Sequence, residues 1–164
     1  MSKDSEKDAR RELRKKIKGF VGWAIGIGIV GGIVYLVVTA ERLPESEVVS
    51  SVGVHYHPRL SIKVNGEPIT IPNNVGIGAV HNPIHTHEEG DGTLHLEFEG
   101  TVRKEDTRLQ KFFIVWNKEW TATSFMGMPL GEGHTLTMKV DGAPSTEYGT
   151  HVMKDGELIE LDYQ

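Results

Sequence analysis

The stretch Arg59-Leu-Ser-Ile-Lys-Val-Asn-Gly-Glu-Pro-Ile-Thr-Ile71 decides the fold. Leu60, Ile62 and Val64 alternate with Arg59, Ser61 and Lys63, and a period of two puts one set on a buried face and the other in solvent. Asn65-Gly66 then offers two residues that tolerate positive φ, which a two-residue hairpin turn requires. The same arrangement recurs downstream. Leu94, Leu96 and Phe98 alternate with His95, Glu97 and Glu99; Leu136, Met138 and Val140 alternate with Thr137 and Lys139 before Asp141-Gly142; Asp155-Gly156 precedes Glu157-Leu-Ile-Glu-Leu-Asp-Tyr163. These patterns predict an all-β domain, an antiparallel sandwich or small barrel with one sheet face buried. Leu60 to Pro68 and Leu136 to Pro144 agree at five of nine positions. The match does not extend further, so it reads as two hairpins with shared turn chemistry rather than a duplication. Arg108 to Trp116 is the one helix candidate in this region, and Phe112-Phe-Ile-Val-Trp116 fits a strand equally well.

The β domain is expected to span residues 50–164 of the 164-residue chain, enough for a single core without covalent staples. The chain has no cysteine, which excludes disulfide scaffolds, thiolate zinc sites, iron–sulfur ligation and thiol nucleophiles. Residues 39–49 are polar, contain Pro44 and read as a stalk. Before them, Phe20 to Val38 holds 19 residues without a charge. As a helix this reaches about 28 Å, close to the hydrocarbon thickness of a bilayer, so residues 20–38 are expected to form one transmembrane helix, with Trp23 and Tyr35 near its ends.

Residues 1–19 carry eight basic and four acidic side chains, a net of +4, with Arg10, Arg11, Arg14, Lys15, Lys16 and Lys18 just before the apolar run. The positive-inside bias predicts a single-pass cell-membrane protein with this basic head in the cytoplasm and the C-terminal domain extracytoplasmic. A signal peptide cut after Ala40 competes, but the apolar run exceeds the usual h-region of about 7–15 residues, which favours an uncleaved signal anchor. Gly22/Gly26 and Gly28/Gly32 have the spacing for close helix approach in a homo-oligomer. From Thr39 onward there are ten basic and nineteen acidic residues, a net of −9, so no nucleic-acid partner is expected.

Six of the eight histidines, His55, His57, His81, His85, His87 and His95, lie between residues 55 and 95; His134 and His151 lie elsewhere. Four of the six form two His-x-His pairs, and in extended chain both imidazoles of such a pair share a face. His95 falls opposite the Leu94/Leu96/Phe98 face beside Glu97, and the Gly-rich turn after His87 can fold it back toward His85 and His87. A transition-metal site of His55, His57, His85, His87 and His95 is therefore expected, with Glu97 as ligand or as acceptor orienting a histidine. Imidazole nitrogens suit copper or zinc, and without a thiolate a blue-copper centre is excluded. The alternative is a surface patch of carboxylate-bonded histidines titrating near neutral pH. Met126 and Met128 read as packing residues rather than copper(I) ligands.

At His55-Tyr-His-Pro-Arg-Leu-Ser-Ile-Lys-Val-Asn-Gly66, Ile71-Pro-Asn-Asn-Val-Gly-Ile77, Pro83-Ile-His-Thr-His87 and Gly92-Thr-Leu-His-Leu-Glu97, the chain resembles an uncharacterised family of membrane-anchored exported prokaryotic proteins. That family similarly carries a Phe-Phe-x-x-Trp stretch, here Phe112 to Trp116. The resemblance covers most of residues 53–163 and implies an exported all-β domain with a shared histidine cluster, without an established activity. Pro83-x-His85-x-His87 and Pro129-x-Gly131-x-x-His134 are more weakly similar to the two cupin motifs. The glutamate and asparagine of those motifs are not at their usual spacings.

Three functions compete on these readings. One is an anchored metal-binding domain for capture, storage or delivery. The second is a protein-interaction module with structural or pH-responsive histidines. The third is a cupin-like metal-dependent enzyme using His85, His87, His95 and His134. No nucleophile elbow or phosphate-cradling loop points to metal-free catalysis, so no catalytic residue is assigned.

Overall fold

The computed structural model describes residues 3–39, 44–88 and 90–164. The chain divides into two units, Met1–Arg42 and Leu43–Gln164. The first holds one continuous helix, α1 (Lys3–Thr39), so the basic head and the apolar run belong to the same element. Over Arg11–Thr39 it is long and apolar enough to cross a membrane or to act as a signal sequence, and Phe20, Trp23, Ile29, Val34 and Leu36 are all exposed along it. Ala40, the site of the competing cleavage, lies outside the described residues.

The second unit is mostly β. Its largest sheet runs in the order β11 (Ala143–Ser145), β10 (Leu136–Val140), β12 (Leu158–Tyr163), β3 (Arg59–Val64) and β4 (Glu67–Pro68). A second sheet has β6 (His95–Phe98) between β2 (Val54–Tyr56) and β5 (Ile84–His85). Two short pairs, β1 (Val48–Ser50) with β7 (Val102–Arg103) and β8 (Ser124–Phe125) with β9 (Met128–Pro129), complete the strands. Among the described residues no sheet closes into a barrel. Strands of two residues such as β4 and β5 end the sheets instead of extending them.

Alternation builds the large sheet's buried face. Val140, Ile159 and Leu60 form one cross-strand row, Met138, Leu161 and Ile62 the next, and Leu136, Tyr163 and Val64 the third. The sheet departs from the expected antiparallel arrangement at its centre, because β12 pairs with β3 in parallel. A long connection between two strands removes the hairpin constraint that would make them antiparallel. Both Leu60–Pro68 and Leu136–Pro144 are hairpins, turning at Asn65-Gly66 and Asp141-Gly142 with positive φ at all four residues. Against the rows pack Ile84, Leu94 and Leu96 of the smaller sheet region, with Trp120, Phe125 and Met153. Each such side chain contributes about 1.5–3 kcal/mol by leaving water.

Two local expectations resolve by burial. Leu109, Phe112 and Phe113 are buried while Ile114 is exposed. That is an i, i+3, i+4 stripe, so α2 (Leu109–Val115) is a helix; a strand would have buried 112, 114 and 116 together. The expected stalk also ends sooner than Val49, since Val48–Ser50 is the strand that pairs with β7.

Pro58 interrupts the chain between β2 and β3, so His55 and Arg59 lie on strands of different sheets rather than on one long strand. The sheets are tied together at this break: Leu94 N–H donates to the Pro58 carbonyl at 2.9 Å, and Leu60 N–H donates to the Gly92 carbonyl at 2.8 Å. Gly92 has φ +72° and meets the Leu60 carbonyl oxygen where a Cβ would stand. A Gly92→Ala substitution combines left-handed strain with overpacking and should destabilise the protein by about 2–4 kcal/mol. Urea unfolding of the full chain should show a lower midpoint with an unchanged slope.

Candidate metal centre

The central position of β6 governs the site. Register pairs His55 with Glu97 across β2 and β6, and His85 with His95 across β5 and β6. Paired residues share a sheet face, and residues two apart on a strand share it too. One register step beyond Tyr56 therefore sets His57 beside His95, which leaves His95 with an imidazole neighbour on either side. The ring centroids agree: His57–His95 are 4.9 Å apart, His85–His95 5.4 Å and His87–His95 4.6 Å.

Two triads have ligand atoms mutually within 4.8 Å: His55/His57/His95 and His85/His87/His95. His85 and His87 bring their Nε2 atoms to 3.1 Å. Two nitrogens bound to one ion at about 2.0–2.1 Å stand about 2.9 Å apart at right angles and about 3.4 Å apart in a tetrahedron, so the observed spacing suits a shared ion. A backbone carbonyl can only accept, so the 3.0 Å contact of His85 Nδ1 with the Asn82 carbonyl requires the proton on Nδ1. In the neutral ring this leaves the Nε2 lone pair as an acceptor, facing Nε2–H of His87.

The residue between the paired histidines anchors them. Thr86 is buried, donates from Oγ1 to the Pro72 carbonyl at 2.8 Å and accepts from Val75 N–H at 3.1 Å. Its backbone N–H bonds the Val75 carbonyl and its carbonyl receives Asn74 N–H. With Thr86 held on one side of an extended chain, His85 and His87 project to the other.

Glu97 lies outside both triads; its Oε1 is 3.3 Å from His55 Nε2. Asp155, whose Asp-Gly pair reads in the sequence only as a turn, accepts His57 N–H at 2.7 Å and stands 3.6 Å from His57 Nδ1. Nothing in the sequence pairs it with a histidine 98 residues away. His81 stacks 6.0 Å from His85 without joining either triad. His95 is held below its ordinary pKa of 6.5, first by burial and then by the neighbouring His87, His57 and His85, against a smaller opposing pull from Glu97. Its ring is thus biased toward the neutral, metal-competent form.

His134 is not brought to this cluster. It stacks on Tyr163 and lines a separate cavity of about 470 Å³ with Trp120 and Tyr148. The four-histidine set implied by the cupin similarity is therefore not assembled. Met126 and Met128 pack against the core on the β8–β9 hairpin.

His151 has a structural role that its sequence position does not announce. It is buried, with Nδ1 2.6 Å from Glu147 Oε2 and Nε2 2.8 Å from Oε1 of the buried Glu157. Burial alone lowers its pKa, but the hydrogen bonds and charges of Glu157 and Glu147 outweigh this and raise it above 6.5.

No protein-family model, curated protein or solved structure matches the chain.

Two outcomes follow from these contacts. Thr86→Val leaves the Pro72 carbonyl and Val75 N–H without their side-chain partner and should cost about 1–3 kcal/mol in urea unfolding. The His151 cluster sets a pH dependence, with Glu47, Lys104, Arg108 and Lys154 lining the same cleft. Because the folded pKa is raised, its stabilisation is complete below about 6.5 and is lost as pH rises through the raised value. The urea midpoint should fall as pH rises above about 6.5, and His151→Ala should flatten that slope while costing about 3 kcal/mol by stranding Glu157.

Proposed function

We propose that this protein is a membrane-anchored, extracytoplasmic metal-binding module whose histidine cluster holds a copper or zinc ion for capture, storage or delivery. In this reading α1 crosses the membrane once. The basic residues preceding its apolar part supply the orientation, with the head in the cytoplasm and the β unit outside.

The observation that carries the proposal is the convergence of imidazoles from three adjacent strands and their ends into two triads that share His95. The donor chemistry favours copper or zinc, because the ligands are neutral nitrogens and no thiolate exists in the chain. The 3.1 Å approach of two Nε2 atoms and the Asn82 carbonyl that fixes the His85 tautomer support a site prepared for a cation. Glu97 serves in this reading as the acceptor that orients His55.

Full-length protein purified in detergent without an affinity tag should retain metal by elemental analysis, and His85→Ala/His87→Ala should abolish retention. At free metal of about 100 times Kd the unfolding free energy should rise by about 2.7 kcal/mol. A fully folded wild-type chain that neither retains nor rebinds copper or zinc removes this reading, leaving the histidines as part of a docking surface.

A further inference from the structure

Resting on the metal-binding reading, we propose that the five imidazoles form two stations for a single ion. His55, His57 and His95 load it; His85, His87 and His95 retain it; His95 stays bound throughout the transfer.

The two triads have one member in common and differ in surroundings. The His55 and His57 side chains are 65% and 43% exposed, and each has a carboxylate beside it, Glu97 at 3.3 Å and Asp155 at 3.6 Å. That side attracts a hydrated cation by charge and leaves room for its water. On the other side His85 is 3% exposed, while His87 reaches the surface. Among the described residues no carboxylate forms an ion pair with His85 or His87. Asn82 and Thr86 fix the orientation of this pair through the backbone, so an ion meets preset nitrogen donors there.

Position on the sheet makes the transfer short. His95 sits on the middle strand, with His57 continuing β2 on one flank and His85 on β5 on the other. Transfer needs only ligand exchange: a bond from the ion to His55 or His57 breaks as one to His85 or His87 forms. The oxidation state is unchanged, and the His87 Nε2 proton leaves to solvent or to its own Nδ1. A neutral His95 offers one lone pair, so both stations cannot hold an ion through it at once. Two ions would need a bridging imidazolate, with two dications facing each other across one ring and only neutral donors completing the inner set.

Cobalt(II) is a suitable probe, because its visible absorption reports ligand number while stopped-flow mixing reports rates. Full-length protein in detergent should bind one cobalt ion. His55→Ala/His57→Ala should slow association about tenfold or more and slow release to chelator by a similar factor, while leaving the final spectrum near wild type. His85→Ala/His87→Ala should still associate quickly but release the ion at least about 100-fold faster. Glu97→Gln/Asp155→Asn removes no imidazole and should slow association and weaken its salt dependence. Two cobalt ions per wild-type chain, or unchanged association in both outer-station variants, overturns the two-station arrangement while metal binding itself stands. Absence of cobalt, copper and zinc binding in the folded wild type overturns both.

Discussion

A side chain on the middle strand of a three-stranded sheet has neighbours on both flanks, and here that residue is His95. Everything proposed for the cluster depends on this placement. If β6 were an edge strand, His95 would meet either the His57 side or the His85 side, and the imidazoles would make a single group. Because β2 and β5 both pair with β6, one ring belongs to two triads. The backbone hydrogen-bond ladder, rather than any contact between side chains, brings together histidines that lie 40 positions apart in the chain.

The rest of the unit holds that small sheet in position. Short strands of two to four residues have little cohesion of their own, so β2, β5 and β6 depend on the large sheet and α2, with which Ile84, Leu94 and Leu96 share one core. Turn chemistry supplies the remaining constraint. Gly92 lets the chain that returns from His87 to His95 press against the Leu60 carbonyl, and Thr86 secures the same segment from the opposite side. The Asp155 turn reaches the cluster from the far end of the sequence and supports His57 through its backbone.

Local periodicity made much of this legible. The alternation in β3, β6, β10 and β12, the two hairpin turns and the shared face of His85 and His87 all follow from a repeat of two. The apolar helix follows from length and composition. What remained hidden was pairing across long separations. Nothing near Leu158 states that β12 lies parallel to β3, and nothing near Asp155 or Asn82 announces a histidine partner. The Phe112–Trp116 run was ambiguous because its residue types favour strand while its burial has helical spacing. Arg59 and His55 share parity along the sequence, yet Pro58 sends their strands to different sheets, a tertiary fact that parity does not contain. His151 read as an isolated histidine because its two carboxylate partners, four and six positions away, acquire meaning only when Glu157 is buried.

The place of β12 has a consequence for biogenesis. It fills the gap between β3 and β10, yet it follows both in the chain. The ribosome therefore makes the flanks of the large sheet before its middle, and β3 waits roughly 90 residues for its parallel neighbour. Long-range pairing of this kind slows folding and leaves strand edges open in the interval. Lys63 and Lys139, alternating with the apolar positions of the two waiting strands, place charge where unwanted edge-to-edge association would otherwise begin. Those charges oppose self-association of the nascent chain until β12 is in place.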